Sequence, residues 1–281
     1  MSRPSDALRA AAHQQGMLIT AHRGTAIASV GQNTLLAARA AFASGADIVE
    51  LDATVSADGQ VYAFHDGTED EALGIHDNLA TLDSTTIATL KHRGSHPERP
   101  VRVPLLADVL APLNGSGAFV NLDRSWFWWP LVLDEVTALG MNDQVLVKFP
   151  ANQPALADVL REHAPGLPTM TICRTLAEME WSAALPGLDV CAVELIADSP
   201  DHELAQQAAV ERAHDLGLLV FVNCEVLSGG PPLYAGWDDE QALHDPDQPW
   251  ERLAGLGVDI IQTDWPWLAN AWRSRRATLV P

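Results

Sequence analysis

Two histidines and three carboxylates stand where a chain of alternating strands and helices can gather them. His22 follows the apolar run MLITA, Glu50 and Asp52 close ADIVELD, Asp123 closes AFVNLD, and His65 lies in FHD shortly after the second run. Glu50 and Asp52 are two residues apart on an extended segment, so both side chains leave the same face. Two carboxylates on an apolar-flanked face repel unless a cation or hydrogen-bond donors hold both ionised, and a hard divalent ion with oxygen ligands does this best. Asp123 is the natural third ligand, and Asn121 on the same face offers a neutral carbonyl. Oxygen donors favour Mg²⁺ or Ca²⁺ over zinc, which takes His or Cys. Histidine titrates near neutral pH, so His22 and His65, arriving from different directions, suit an acid–base pair beside the ion. Arg23, with forked donors that fit a phosphoryl group, and Lys148 in QVLVKF bring the positive charge an anionic substrate needs.

These side chains need elements that carry them to one place. Eight apolar runs, beginning near Met17, Ala46, Ala118, Gln144, Pro168, Asp189, Gly217 and Gly257, alternate with helical patterns. In NTLLAARAAFASG, Asn33 can cap, Leu35, Ala38 and Phe42 share a face, and Gly45 can end the helix in a left-handed conformation. The pattern predicts a single (β/α)₈ barrel domain over residues 1–281, with chemistry at the C-terminal ends of the strands; a doubly wound open sheet is disfavoured because no GxGxxG follows the first run. Two segments interrupt the alternation. TVSADGQVYAFHD predicts a hairpin over the barrel mouth, and a two-residue turn at Asp58-Gly59 would set Asp52 opposite His65, a bulge shifting this by one. The Pro-, Gly- and Asp-rich segment from Gly229 to Trp250 is too long for an ordinary barrel loop and is expected as a lid. Trp126, Phe127, Trp128 and Trp129, with Tyr234, Trp237 and Trp250, either pack under loops or wall the mouth for an apolar, sugar or quaternary ammonium group.

Charge narrows the partners. With 17 Lys+Arg against 37 Asp+Glu the chain carries −20, which excludes nucleic acid and an anionic membrane face as general partners. Arg273, Arg275 and Arg276 read as a solvated helix end. No stretch is long and apolar enough for stable membrane insertion, and the first sixteen residues lack a signal-peptide core. Cys173, Cys191 and Cys224 are odd in number and sit in apolar runs, as buried free thiols do, so a cytoplasmic protein acting on a small molecule is expected. Composition carries no signal of oligomeric state.

AHRG at Ala21 to Gly24, QNT at Gln32 to Thr34, GADIVELD, the Asp58-Gly59 turn, FHD at Phe64 to Asp66 and the late IIQTDWP together resemble the glycerophosphodiester phosphodiesterase family across nearly the whole chain. The resemblance implies a phospholipase C-like TIM barrel of lipid metabolism that uses a divalent metal to hydrolyse a glycerophosphodiester to glycerol 3-phosphate and an alcohol. It implies His22 and His65 as catalytic residues, Arg23 as a phosphate contact, and Glu50 with Asp52 as metal ligands. The family usually has Pro-Glu-Asn-Thr where this chain has Gly31-Gln32-Asn33-Thr34, and Glu-x-Lys where it has Asn121-Leu122-Asp123. By simple register Asn121 replaces the metal-binding Glu and Asp123 the Lys, with Asp123 restoring the carboxylate and Lys148 the cation. Two alternatives stand beside hydrolysis: a lyase-type attack within a lysophospholipid-like diester giving a cyclic phosphate, as in a related sphingomyelinase D-like group, and a non-catalytic phosphodiester-binding barrel.

Overall fold

In the computed structural model, which describes residues 3–227, 230–245 and 247–279, every one of the apolar runs is a strand. They are β1 (Leu18–Ala21), β2 (Ile48–Val55), β4 (Phe119–Asp123), β5 (Val145–Pro150), β6 (Pro168–Cys173), β7 (Asp189–Leu195), β8 (Leu219–Asn223) and β9 (Ile260–Thr263), with β3 (Val61–Ala63) as an extra strand. The other eight pair in parallel around a ring that β1 closes by bonding both β2 and β9, so the barrel has no free edge there; β3 hangs outside, antiparallel on β2. Valine, isoleucine and leucine dominate the strands because each is covered on one side by helices and on the other by the barrel interior.

The interior is layered. Leu18, Ile48, Leu146, Met170, Phe221 and Ile260 fill the lower layer, and the helix Asp6–Gln15 seals it from below with Leu8 and Ala12. One pleat higher the side chains turn polar: Thr20, Glu50, Asn121, Lys148, Glu194 and Gln262 are all buried. A core that changes from apolar floor to polar mouth is what prepares a site at the strand ends.

The hairpin differs from the expected one by a residue. Ala53 pairs Ala63, Thr54 pairs Tyr62 and Val55 pairs Val61; Ser56 N donates to Gln60 O at 2.9 Å, and Gly59 sits at φ +85°. This is a three-residue loop closed by a left-handed glycine, not a two-residue turn, so Phe64 rather than His65 lies opposite Asp52, its N–H donating to Asp52 O at 3.1 Å. Beyond it, the short helical turns Glu69–Leu73, Leu79–Thr81 and Ser84–Ile87 fold over a satellite cluster of Tyr62, Phe64, Leu79, Ile87 and Val103.

The segment after β8 packs part of its length into the core and places Leu233 at the mouth cleft. Among its described residues it forms the helices Asp239–His244 and Asp247–Leu256; Ser228, Gly229 and Pro246 lie outside the described residues. Trp250 is fully buried against Trp272, and Tyr234 is buried with its hydroxyl donating to Leu204 O at 3.0 Å. Tyr234, Trp237 and Trp250 therefore belong to the core under the loops, which answers the choice left open for them. The three cysteines are free and buried, and no helix among the described residues is long and apolar enough to cross a membrane.

Candidate active site

Parallel register fixes the acidic group. Glu50 lies beside Asn121 and Asp52 beside Asp123 on β2 and β4, all facing the barrel axis at its C-terminal end. One oxygen from each of Glu50, Asp52 and Asp123 lies within 4.8 Å of the others. Glu50 is wholly buried; its Oε2 accepts from Arg23 N at 2.7 Å and its Oε1 has no partner. Burial, then the charges of Asp52 and Asp123, push its carboxyl well above the usual range. Asn33 clamps Asp52, donating through Nδ2 to Oδ2 at 3.0 Å and accepting the Asp52 N–H at 2.9 Å. The helix cap expected of Asn33 is instead made by Thr34, whose hydroxyl accepts from Ala37 N at 3.1 Å. Three clustered carboxylates, one of them with a buried unpartnered oxygen and a carboxyl pushed up partly by its neighbours' charge, fit a hard divalent cation. Asn121 lies level with Glu50 and one pleat below Asp123, fully buried, with neither side-chain polar atom partnered.

Lys148 Nζ lies 2.8 Å from Asp123 Oδ2 and 2.7 Å from Glu194 Oε2, almost fully buried. Burial disfavours its charge, but the two carboxylates more than offset this and raise its pKa. Burial likewise works against the Asp123 anion, yet Lys148 and the Arg124 N–H hold that carboxyl below the ordinary range.

The histidines have opposite surroundings. His22 Nδ1 lies 2.9 Å from Asp264 Oδ1; Asp264 is itself held by Asp239, whose Oδ2 accepts the Asp264 N–H at 2.7 Å while Oδ1 accepts from Thr263 Oγ1 at 2.6 Å. Burial opposes the His22 charge, but Asp264, Glu225 and Glu50 together raise it to about 9. His65 has a buried, unpartnered Nδ1, and burial lowers its pKa, with Arg23 and Arg124 adding to the effect against Asp52 and Asp66. Arg23 sits at φ +52° with its Nε 3.2 Å from Asp52 Oδ2 and its Nη1 donating to Gln32 Oε1 at 3.1 Å. Arg124 turns back to pair with Asp66 at 2.8 Å. Both histidines, Arg23, Asp52, Asp123 and Trp126 line one cleft at the mouth, together with Asn223 and Glu225 from the end of β8. The expected group thus converges, with Lys148 and Glu50 beneath the cleft wall.

The chain matches the model of the Glycerophosphoryl diester phosphodiesterase family over residues 22–267. It belongs to that family. A Bacillus subtilis (strain 168) relative described as an uncharacterized protein, YqiK, is 30% identical over 154 residues, covering 52% of this chain and 63% of the relative's own length. The solved glycerophosphodiester phosphodiesterase of Agrobacterium tumefaciens str. C58 superposes with a TM-score of 0.65 at 26% identity, covering 91% of this chain and 99% of that one. An Oleispira antarctica phosphodiesterase, solved with the product sn-glycerol-3-phosphate, shares the fold with a TM-score of 0.63 at 16% identity, covering 92% of this chain and 98% of that one.

Within this member of the glycerophosphoryl diester phosphodiesterase family, several polar groups at the site escape motif reading. Asp264 stands in the IIQTDWP run, yet its bond to His22 depends on β1 and β9 being neighbours. Asp239, which holds Asp264, comes from a helix of the β8–β9 segment that no local pattern ties to the mouth.

Proposed function

We propose that this chain hydrolyses a glycerophosphodiester to glycerol 3-phosphate and an alcohol, with a divalent cation, Mg²⁺ or Ca²⁺, held by Glu50, Asp52 and Asp123. The observation that carries the reading is the meeting of two histidines and an arginine around one carboxylate trio at a single barrel mouth. When bound, the cation supplies Lewis-acid stabilisation of phosphoryl charge. Arg23 binds a phosphoryl oxygen with its forked donors, oriented by Gln32 and Asp52. Lys148 contributes its charge through Asp123, keeping that carboxylate ionised. His65, held neutral by its surroundings, takes a proton from the water that attacks phosphorus; His22, held protonated by Asp264, gives a proton to the leaving alcohol oxygen as the P–O bond breaks.

The test is turnover of a diester panel, including glycerophosphocholine, a lysophospholipid and bis(p-nitrophenyl) phosphate, with Mg²⁺, Ca²⁺ or chelator, beside His22→Ala and His65→Ala. Metal-dependent cleavage lost in both variants supports the reading, and phosphorus NMR separates a phosphomonoester from a cyclic phosphate. An intact, folded, metal-loaded protein that cleaves nothing in the panel sinks it.

A further inference from the structure

At the end of β8 and just beyond it stand two side chains that the reaction above puts in no contact with the substrate, although Glu225 helps to hold the His22 proton. Asn223 and Glu225 are two residues apart, so both face the mouth, while Cys224 between them packs into the core behind. Their exposures are 5% and 6%. Asn223 Nδ2 donates to Glu194 Oε1 at 2.8 Å, which orients the amide and leaves Oδ1 without a partner. Gln262 Nε2 donates to Glu225 Oε1 at 2.9 Å, and Glu225 Oε2 has none. The cleft thus offers two buried acceptors, one of them on a carboxylate, flanked by Ile196, Leu227 and Leu233. Buried acceptors left empty are costly, so the group that belongs there donates hydrogen bonds and carries positive charge.

The surroundings select among cations. A quaternary ammonium has no N–H and is held by aromatic faces. Tyr234, Trp237 and Trp250 are in the core, and Trp126 is the one tryptophan lining this cleft among the described residues. A primary ammonium has three donors and one charge, enough to meet both oxygens. Asn223 and Glu225 share the cleft wall with His22, the residue that serves the departing alcohol in the reaction above, which places this pair beside that half of the diester.

We propose that Asn223 and Glu225 form a subsite for a primary ammonium on the alcohol half of the diester, so that the chain selects aminoalcohol esters over their trimethylated and neutral counterparts. This rests on the phosphodiesterase reading above. A site built to hydrogen-bond a donor rejects the analogue that lacks it.

The experiment compares kcat/KM for glycerophosphoethanolamine, glycerophosphocholine and glycerophosphoethanol in the metal-loaded wild type and in Glu225→Gln, with bis(p-nitrophenyl) phosphate as a substrate lacking any headgroup. The ethanolamine ester is expected to exceed the choline ester by about tenfold or more in wild type, and the ratio to collapse toward unity in Glu225→Gln whatever its absolute rate. Equal wild-type values, or a ratio unchanged by the substitution, overturn the subsite while leaving the phosphodiesterase reading intact. If no diester turns over, that reading falls, and calorimetry with O-phosphoethanolamine against phosphocholine still decides the subsite: tighter binding of the primary amine supports it, and equal binding overturns it.

Discussion

His22 and His65 are the same side chain in two electrostatic settings, and the difference predicts a pH profile. In the proposed reaction, activity needs His65 neutral and His22 protonated. It therefore rises through a pKa below the ordinary histidine value of 6.5 and falls near 9, giving a bell-shaped kcat/KM. Asp264→Asn removes the anion that holds the His22 proton, so the alkaline limb moves to lower pH, and replacing either histidine by alanine lowers kcat by about 100-fold or more. A profile whose alkaline limb stays in place in Asp264→Asn would refute the dyad's role. At this scale the type and order of the principal residues were legible, because His22, Glu50, Asp52 and His65 occupy the polar ends of apolar runs. The grip of Asn33 on Asp52 was not: a side-chain clamp across 19 positions of sequence has no periodicity to reveal it.

Elements convert that order into geometry. The eight barrel strands could be read from alternation of apolar runs and helices, whereas the turns between Glu69 and Ile87 are too short to show a helical period, and a three-residue loop resembles a two-residue one until the register is seen. The segment between β8 and β9 was readable as an insertion by length, but the burial of Trp250 and the reach of Asp239 depend on neighbours distant in sequence. Trp250→Ala is expected to destabilise the fold by about 3–5 kcal/mol, measured by denaturant unfolding. Asp239 is buried beside Asp264 and Glu225, and burial, only partly opposed by its hydrogen bonds, raises its pKa to about 8. The folded state thus keeps a proton that the unfolded chain releases near 3.8, so this group's stabilising contribution is lost as pH climbs from 3.8 toward 8. Asp239→Asn flattens that slope in unfolding experiments run across pH.

The whole molecule carries an excess of negative charge and gathers three carboxylates, with Arg23 and Lys148 beside two of them, at the barrel mouth. A cation that binds the folded chain alone raises stability by about 2.7 kcal/mol at a hundredfold excess over its Kd. Mg²⁺ or Ca²⁺ should therefore raise Tm, and chelator should reverse the gain. Glu50→Gln relieves the repulsion with Asp52 and Asp123, so the metal-free variant melts higher than the metal-free wild type and gains less from the ion. A wild-type Tm indifferent to both ions would count against the carboxylate trio as their site.

The helix Asp6–Gln15 stoppers the barrel floor with Leu8 and Ala12, so passage through the axis is closed from below. In the proposed reaction, diester, water and both products then enter and leave at the mouth formed by the strand ends, so a product fragment still held there blocks the next substrate. Product inhibition of the competitive kind, set by that fragment, is the kinetic signature of a vessel with one opening.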